Sequence, residues 1–283
     1  MDKISPLVSV LIPCYNHEKF IKQALDSIIN DEYLNKEIVI INDGSKDSSN
    51  EIIEKWRAFY NDSIKIKYIS RENKGICATL NELIEISNGK YVLLLASDDA
   101  LYGNTITERV SILEEREPEG KLVLVSDALV VDENNEILGQ SSMSGYSKGN
   151  KNKYKTDEGI LEEVILNPSI NGPVVLINKK IYARIGKYPE YMNTEDWFFY
   201  QRAAAIGSII FWDKTVALYR IHSSNTSRTF SSTQIKLLKS IIKTLYINLN
   251  WFPSLKFKFF GGIQIIRYLT ILMKVRLKKL IGQ

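Results

Sequence analysis

The run Glu37-Ile38-Val39-Ile40-Ile41, closed by Asn42-Asp43-Gly44-Ser45, decides how this chain is to be read. Four β-branched residues in a row make a strand too apolar to have a wet face, and it ends in a polar turn. Comparable runs occur at residues 7–12, 64–69 and 91–95. Between them, residues 18–30, 48–60 and 76–87 repeat apolar side chains at three- and four-residue steps, as Phe20, Ala24 and Ile28 do in the first. Strand alternating with helix predicts βαβ units and a parallel sheet covered by helices, an α/β fold. Ligands of such sheets bind beyond the carboxyl ends of the strands. Those ends read Pro13-Cys14-Tyr15-Asn16, Asn42-Asp43-Gly44-Ser45 and Ser97-Asp98-Asp99, so a Tyr and three carboxylates converge on one rim. Asn, Asp and Ser also serve as helix caps and turn residues, which would account for one such end. Three on one edge point to a site.

The second half is less regular. Residues 121–131 read as a strand, 134–156 as a polar, mobile loop, 157–166 as a helix, 174–177 as a buried strand and 178–185 as a helix ended by Gly186. A further helix is expected from Thr194-Glu195-Asp196 to about Ile206, with acids in its first turn. The 283 residues carry 37 Lys and Arg against 33 Asp and Glu, the balance of an ordinary globular protein. The charge is polarised, however. Thirteen basic residues and no acid follow Asp213, leaving a net charge of −9 for residues 1–213, and an anionic partner is expected at the basic end. Cys14 and Cys77 are too few for a disulfide framework or a Cys-built zinc site and read as buried small hydrophobes of a cytoplasmic protein. The opening residues show no secretory signal pattern.

Paired carboxylates at a strand end suit Mg²⁺ or Mn²⁺, which complete their shell with phosphate oxygens and water. Asp43 could accept hydrogen bonds from a nucleobase and Tyr15 could stack on it. Neither a P-loop nor a dinucleotide fingerprint follows the first strand, which argues against an NTPase and an NAD enzyme and leaves a metal to hold a diphosphate. His17, near a helix start, reads as a surface or capping residue. His222 reads equally as a ligand of diphosphate or metal and as a structural hydrogen-bonding group, and Trp197 as an acceptor platform or a packing residue.

Together these pieces resemble a family 2 glycosyltransferase of the GT-A fold, from about Val8 to Ser227. The segment from Val8 to Asn16 resembles the family's first strand, Asn42-Asp43-Gly44-Ser45 its nucleoside turn, and Asn73-Lys74-Gly75 with Asn81 and Asn88-Gly89-Lys90-Tyr91 the approach to its metal motif. Ser97-Asp98-Asp99 stands at that motif, Glu195-Asp196-Trp197 with Arg202 at the acceptor-side acidic motif, and Tyr219-Arg220-Ile221-His222 at the closing motif. The resemblance implies that Pro13, Tyr15, Asn16, Asp43, Lys74, Asp98 and Arg220 bind the donor and that Asp99 and His222 hold the cation. It also implies that Asp196, with Glu195 beside it, deprotonates the acceptor hydroxyl for an inverting displacement. Ala96 and Leu80 stand where many members carry Asp and Arg, so Lys74, Arg220 or His222 are expected to replace the usual diphosphate contact.

The domain expectation is a GT-A catalytic unit over 1–230, with a nucleotide-sugar half (1–100) and an acceptor half (101–230), then a basic helical extension over 231–283. The expected partners are a nucleotide-sugar donor, a UDP-sugar first, and a glycan or lipid-linked glycan acceptor of surface polysaccharide. Ile266, Leu269, Met273, Leu277 and Leu280 share one side of a helix with Arg267, Thr270, Lys274 and Lys278 on another, which predicts a helix lying on an anionic membrane surface without spanning it. Packing onto the catalytic unit or self-association through the C-terminal helices is the alternative use of that face. The basic run is too apolar for nucleic-acid binding. The rival functions are a sugar-phosphate nucleotidyltransferase, which would release pyrophosphate, and a non-catalytic nucleotide- or glycan-binding module, which would need no base.

Overall fold

The computed structural model describes residues 5–223 and 232–280. The proposed boundary at 230 and the end of the family resemblance, including Ser227 and Arg228, lie outside them. The chain opens with β1 (Val8–Cys14), α1 (Ile21–Asn30), β2 (Lys36–Asp43), α2 (Ser49–Tyr60), β3 (Lys65–Arg71), α3 (Ile76–Ile86) and β4 (Tyr91–Leu94). It continues through β5 (Ala100–Leu101), α4 (Ile106–Arg116), β6 (Val123–Val131), β7 (Ile137–Gly139), α5 (Asp157–Leu166), β8 (Val175–Asn178), α6 (Ile181–Ile185), α7 (Glu195–Ala205) and β9 (Ile209–Arg220). Two long helices, α8 (Ser232–Asn248) and α9 (Leu255–Leu280), close it.

The strands form one sheet in the order β3-β2-β1-β4-β8-β6-β9-β5, with β7 paired to β6. The first four are parallel, as their helical crossovers require. β8 then runs antiparallel between β4 and β6, so the sheet is mixed where a parallel one was expected. The period of two sorts side chains into two layers. Val8, Val10, Ile12, Ile38 and Ile40 pack with Ile21, Leu25, Ile28 and Ile53, whereas Leu11, Val39 and Ile41 pack with Leu80, Leu83 and the helices of the second half. Each fully buried Ile or Val contributes roughly 1.5–3 kcal/mol, so register is fixed by burial on both faces.

Two expectations are corrected. Residues 134–156, read as a loop, carry β7 and two short helical turns, with Ser142, Met143 and Tyr154 buried. The reason is Asp127, a buried carboxylate on β6 that accepts from Ser142 Oγ and the Met143 amide at 3.1 Å and pairs with Lys151 at 2.7 Å. The helix expected over 178–185 is only α6, because the Asn178 side chain caps the Lys180 amide and delays the first turn. Gly186 ends it at φ +86°, as read. Both cysteines are buried.

The C-terminal helices dock on the second half rather than standing apart. Phe252 and Phe257 enter the larger core layer, and Gln264 Nε2 donates to the carbonyl of Leu166 at the end of α5. No described helix is long and apolar enough to cross a membrane.

Candidate active site

The strand ends meet as the sequence suggested. Asn16 takes a left-handed φ of +57° after β1, which turns its side chain onto the β2 turn, where Oδ1 accepts from the Lys46 amide at 2.7 Å. Tyr15 remains 47 % exposed beside it, while Pro13 lies half-buried in β1. At Gly44, φ is +77° and an added Cβ would lie 2.7 Å from the Asn73 amide, so glycine lets the loop after β3 close over the turn. That closure occupies Asp43, whose carboxylate accepts from the Lys74 and Gly75 amides at 2.8 and 3.0 Å and pairs with Arg71. Sequence reasoning missed Arg71. The Lys74 side chain is exposed at the same rim. Asn81 instead binds the Tyr188 backbone, and Asn88 and Ser9 satisfy the buried Glu37, so these two asparagines hold the scaffold.

The acidic motif divides its labour differently from the expectation. Asp98 faces two imidazoles: His222 Nε2 lies 3.0 Å from Asp98 Oδ2 and His17 Nε2 3.8 Å. His17 is not a surface group, since its Nδ1 meets Ser97 Oγ at 2.7 Å. Its carbonyl does cap α1, accepting from the Phe20 and Ile21 amides. Burial lowers the His17 pKa against the pull of Asp98, which keeps the ring neutral at pH 7. Burial opposes ionisation of Asp98, but the His222 hydrogen bond and both rings hold its carboxyl below the usual range. Asp99 is pushed the other way, first by burial and then by Asp98, and its Oδ1 accepts from the Arg220 amide at 2.8 Å. Thus Asp98, not Asp99, joins His222 and His17 in a three-ligand cluster whose donor atoms lie within 4.8 Å of one another. Two imidazole nitrogens and a carboxylate fit a divalent transition metal, and Mn²⁺ better than the all-oxygen taste of Mg²⁺.

Arg220 is also corrected. Its guanidinium is buried, donating to the carbonyls of Asp98 and Asp132 at 2.8 and 2.7 Å and to Gln23 and Asn135 at 2.9 Å. It braces the acidic motif, and its guanidinium is engaged by these protein acceptors.

Across the rim, Glu195 and Asp196 open α7 and line a cavity of about 290 Å³. Solvent reaches Asp196 through that cavity, yet surrounding protein raises its carboxyl to about 6. Burial, then the Asp196 charge, pushes Glu195 up to about 8, so near neutrality the pair holds one proton and Asp196 is the ionised member. The two acidic groups adjoin. Gly172, at φ +72°, would place a Cβ 3.0 Å from the Tyr219 ring and 3.5 Å from Asp99 Oδ2, and its neighbour Asn171 lines the cavity. Burial raises the Tyr219 hydroxyl, and the charges of Asp99, Asp98 and Asp196 add to it.

Sequence reading also missed what holds the start of α7. Ser240 Oγ accepts from the Asn193 amide at 3.0 Å, and the Thr194 and Thr244 hydroxyls are 2.7 Å apart. Asn248 completes the seam, taking Arg202 Nε at 2.9 Å and reaching Gln201 at 3.0 Å. Ser240, Thr244 and Asn248, four apart along α8, are the signal that could have found it. Trp197 is 7 % exposed, packs edge-on against Tyr268 and, with it, lines the cavity.

A mixed sheet with polar strand ends, an acid–imidazole cluster and an acidic pair at an adjoining cavity is an arrangement of the GT-A class. The chain belongs to glycosyl transferase family 2, whose model matches residues 9–186, and is a glycosyltransferase. A relative described as an uncharacterized glycosyltransferase of Rickettsia prowazekii is 31 % identical over 226 residues, covering 80 % of this chain and 67 % of the relative. Another from Haemophilus influenzae is 28 % identical, covering 86 % and 75 %. Among solved structures, Staphylococcus aureus TarS 1-349 with UDP-GlcNAc superposes at a TM-score of 0.66 with 20 % identity, covering 93 % of this chain and 71 % of that 1-349 chain. The Pyrobaculum calidifontis mannosyltransferase PcManGT with GDP-Man and Mn²⁺ reaches 0.68 at 13 % identity, covering 97 % and 74 %. These likenesses confirm the GT-A fold.

Proposed function

We propose that this chain transfers a hexosyl or N-acetylhexosaminyl group from a nucleoside-diphosphate sugar, a UDP-sugar first, to a hydroxyl of a surface polysaccharide or lipid-linked glycan, inverting the anomeric carbon. The observation that carries the reading is the Glu195–Asp196 pair, at a cavity adjoining the Asp98 cluster. Residues 1–100 serve the donor, 101–230 the acceptor, and 231–283 complete the acceptor side. UDP-GlcNAc in TarS and GDP-Man with Mn²⁺ in PcManGT support a nucleotide-sugar donor and a cation.

Tyr15 and the Asp43–Arg71 edge receive the base, and Asn16 and the exposed Lys74 flank the phosphates. Asp98, His222 and His17 would hold Mn²⁺ or Mg²⁺, which when bound neutralises charge on the leaving diphosphate. Arg220 and Asp99 keep that cluster in place through the 2.8 Å bond between them. Asp196 takes the proton of the acceptor hydroxyl as it attacks, a contribution of roughly 10²–10⁴-fold. Glu195, holding its own proton, leaves Asp196 as the single negative charge beside the nucleophile.

Membrane association belongs to the same reading. Phe259, Ile263, Ile266, Leu269, Met273 and Leu277 stay exposed along the outer face of α9, opposite the buried Phe257, Gly261, Gln264 and Leu272. Lys256, Arg267 and Lys274 flank one side of the stripe and Lys258 and Arg276 the other. An apolar stripe between basic margins suits the interface of an anionic bilayer, where each basic group contributes about 1 kcal/mol. Stereochemistry tests the reaction. Proton NMR of the product should show an anomeric configuration opposite to the donor's; retention would overturn the single displacement.

A further inference from the structure

We propose that the acceptor unit entering the Asp196 cavity is uncharged, no larger than about one sugar ring, and carries an apolar substituent beside its reactive hydroxyl, and that α8 and α9 select it. This rests on the glycosyltransferase reading above and narrows its acceptor class.

The cavity, about 290 Å³, falls just under the roughly 300–1,000 Å³ of pockets that enclose a drug-sized ligand, so it takes an end unit and not a chain. Its chemistry is twofold. Beside Glu195 and Asp196 its lining holds apolar and aromatic residues, among them Ile170, Trp197, Leu237, Ile241 and Tyr268. Leu237 and Ile241 belong to α8 and Tyr268 to α9, so the C-terminal helices furnish part of that apolar lining. A ring bearing hydroxyls alone would leave that lining against water or polar groups, whereas a methyl, acetyl or aryl group covers it. An anionic acceptor would sit against a carboxylate pair in a site of reduced dielectric, which like charges disfavour.

Two polar atoms of residues in the lining stand buried and unpaired. Trp197 Nε1 and Glu195 Oε2 have no hydrogen-bond partner among the described residues. Trp197 is itself nine-tenths buried. An indole N–H only donates, so it calls for a ligand oxygen, and a protonated or ionised Glu195 takes a second hydroxyl. Buried polar atoms left unpaired are costly, and a ligand that pairs both gains selectivity against one that pairs neither. The position of the α8 part of the lining is fixed to the acid pair itself, because Ser240 and Thr244 bond the Asn193–Thr194 backbone and side chain just ahead of Glu195.

The test compares acceptors on the full chain. Phenyl and methyl β-glycosides of glucose, galactose and N-acetylglucosamine, and phenyl β-glucuronide, are measured for binding by saturation-transfer NMR and for turnover with the nucleotide sugar that the enzyme hydrolyses. For at least one sugar the phenyl glycoside should bind roughly 10-fold tighter than its methyl counterpart. Phenyl glucuronide should bind at least ~10-fold more weakly than phenyl glucoside, as like charges in a shielded site require. Tyr268→Ala and Ile241→Asn should collapse the phenyl-to-methyl ratio towards one, and Tyr268→Phe, which keeps the ring, should restore it. Equal binding of phenyl and methyl glycosides, binding by neither, preference for the glucuronide, or an unchanged ratio in Tyr268→Ala would overturn the proposal. Failure of the wild-type chain to hydrolyse any nucleotide sugar would instead strike the underlying reading.

Discussion

Replacing Glu195 by Gln keeps its shape and removes its titration, and the structure sets the size and direction of the response. Burial and the neighbouring Asp196 raise the Glu195 carboxyl from 4.5 to about 8. A group with a raised folded pKa stabilises the fold fully below its unfolded value and loses that contribution as pH rises through the folded value. Wild-type stability should therefore fall relative to Glu195→Gln from about pH 4.5 to about pH 8 and run parallel to it above. At about 1.4 kcal/mol per unit, 3.5 units set a ceiling of about 5 kcal/mol. The Asp196 part of the shift is shared between two groups, and solvent enters through the cavity. The expected divergence between pH 5.5 and 7.5 is accordingly about 1–3 kcal/mol. Asp196 is raised by burial alone, so its own titration is common to both proteins and cancels. Urea unfolding of both proteins at four pH values between 5.5 and 9 reads the difference. A gap that stays constant across that range would refute the claim that Glu195 carries a proton in the folded enzyme.

Asp196→Asn should lower kcat by at least ~10² while leaving nucleoside-diphosphate affinity within twofold. The wild-type kcat/KM should fall as pH drops through about 6, because protonation there removes the base; a profile flat to pH 5 would assign the role elsewhere. Asp98→Asn and His222→Gln should each weaken Mn²⁺ binding at least ~10-fold by electron paramagnetic resonance titration, and His17→Gln by a smaller factor, the metal losing one ligand in each case. Undiminished Mn²⁺ affinity in Asp98→Asn would move the cation to Asp99. Ile266→Asp with Met273→Asp, both on the exposed stripe, should abolish sedimentation with anionic vesicles at low salt without lowering the thermal midpoint. Unchanged pelleting would return that face to another use.

The first half of the chain was legible because its signals are local. Each of β1, β2 and β4 is a short apolar run, and the residues that follow it in sequence also sit beside it on the rim. Asp43, Tyr15, Asn16 and the acidic motif could therefore be placed without knowing the packing. What stayed hidden depends on distant segments meeting. His17 reads as a helix-start residue until His222, some two hundred positions later, arrives 5.7 Å from it ring to ring. That Asp98 faces the two histidines while Asp99 turns to the backbone of Arg220 is a matter of packing, which no spacing encodes. Arg220 looked like a diphosphate ligand because a cation in a closing motif is chemically apt. Four acceptors from three segments occupy it instead. The amphipathic pattern of α9 was readable, but it could not reveal that the helix uses both faces, Tyr268 against Trp197 and Ile266 outward.

The most direct test of the central claim is phosphorus NMR of the purified full chain with Mn²⁺, a panel of UDP- and GDP-sugars, and a crude lipid-linked glycan extract. The account predicts that one nucleotide sugar is consumed, that the matching nucleoside diphosphate appears in equal amount, and that Asp196→Asn slows this at least ~10²-fold. Pyrophosphate formed from a nucleoside triphosphate and a sugar phosphate, with every nucleotide sugar left intact, would contradict it.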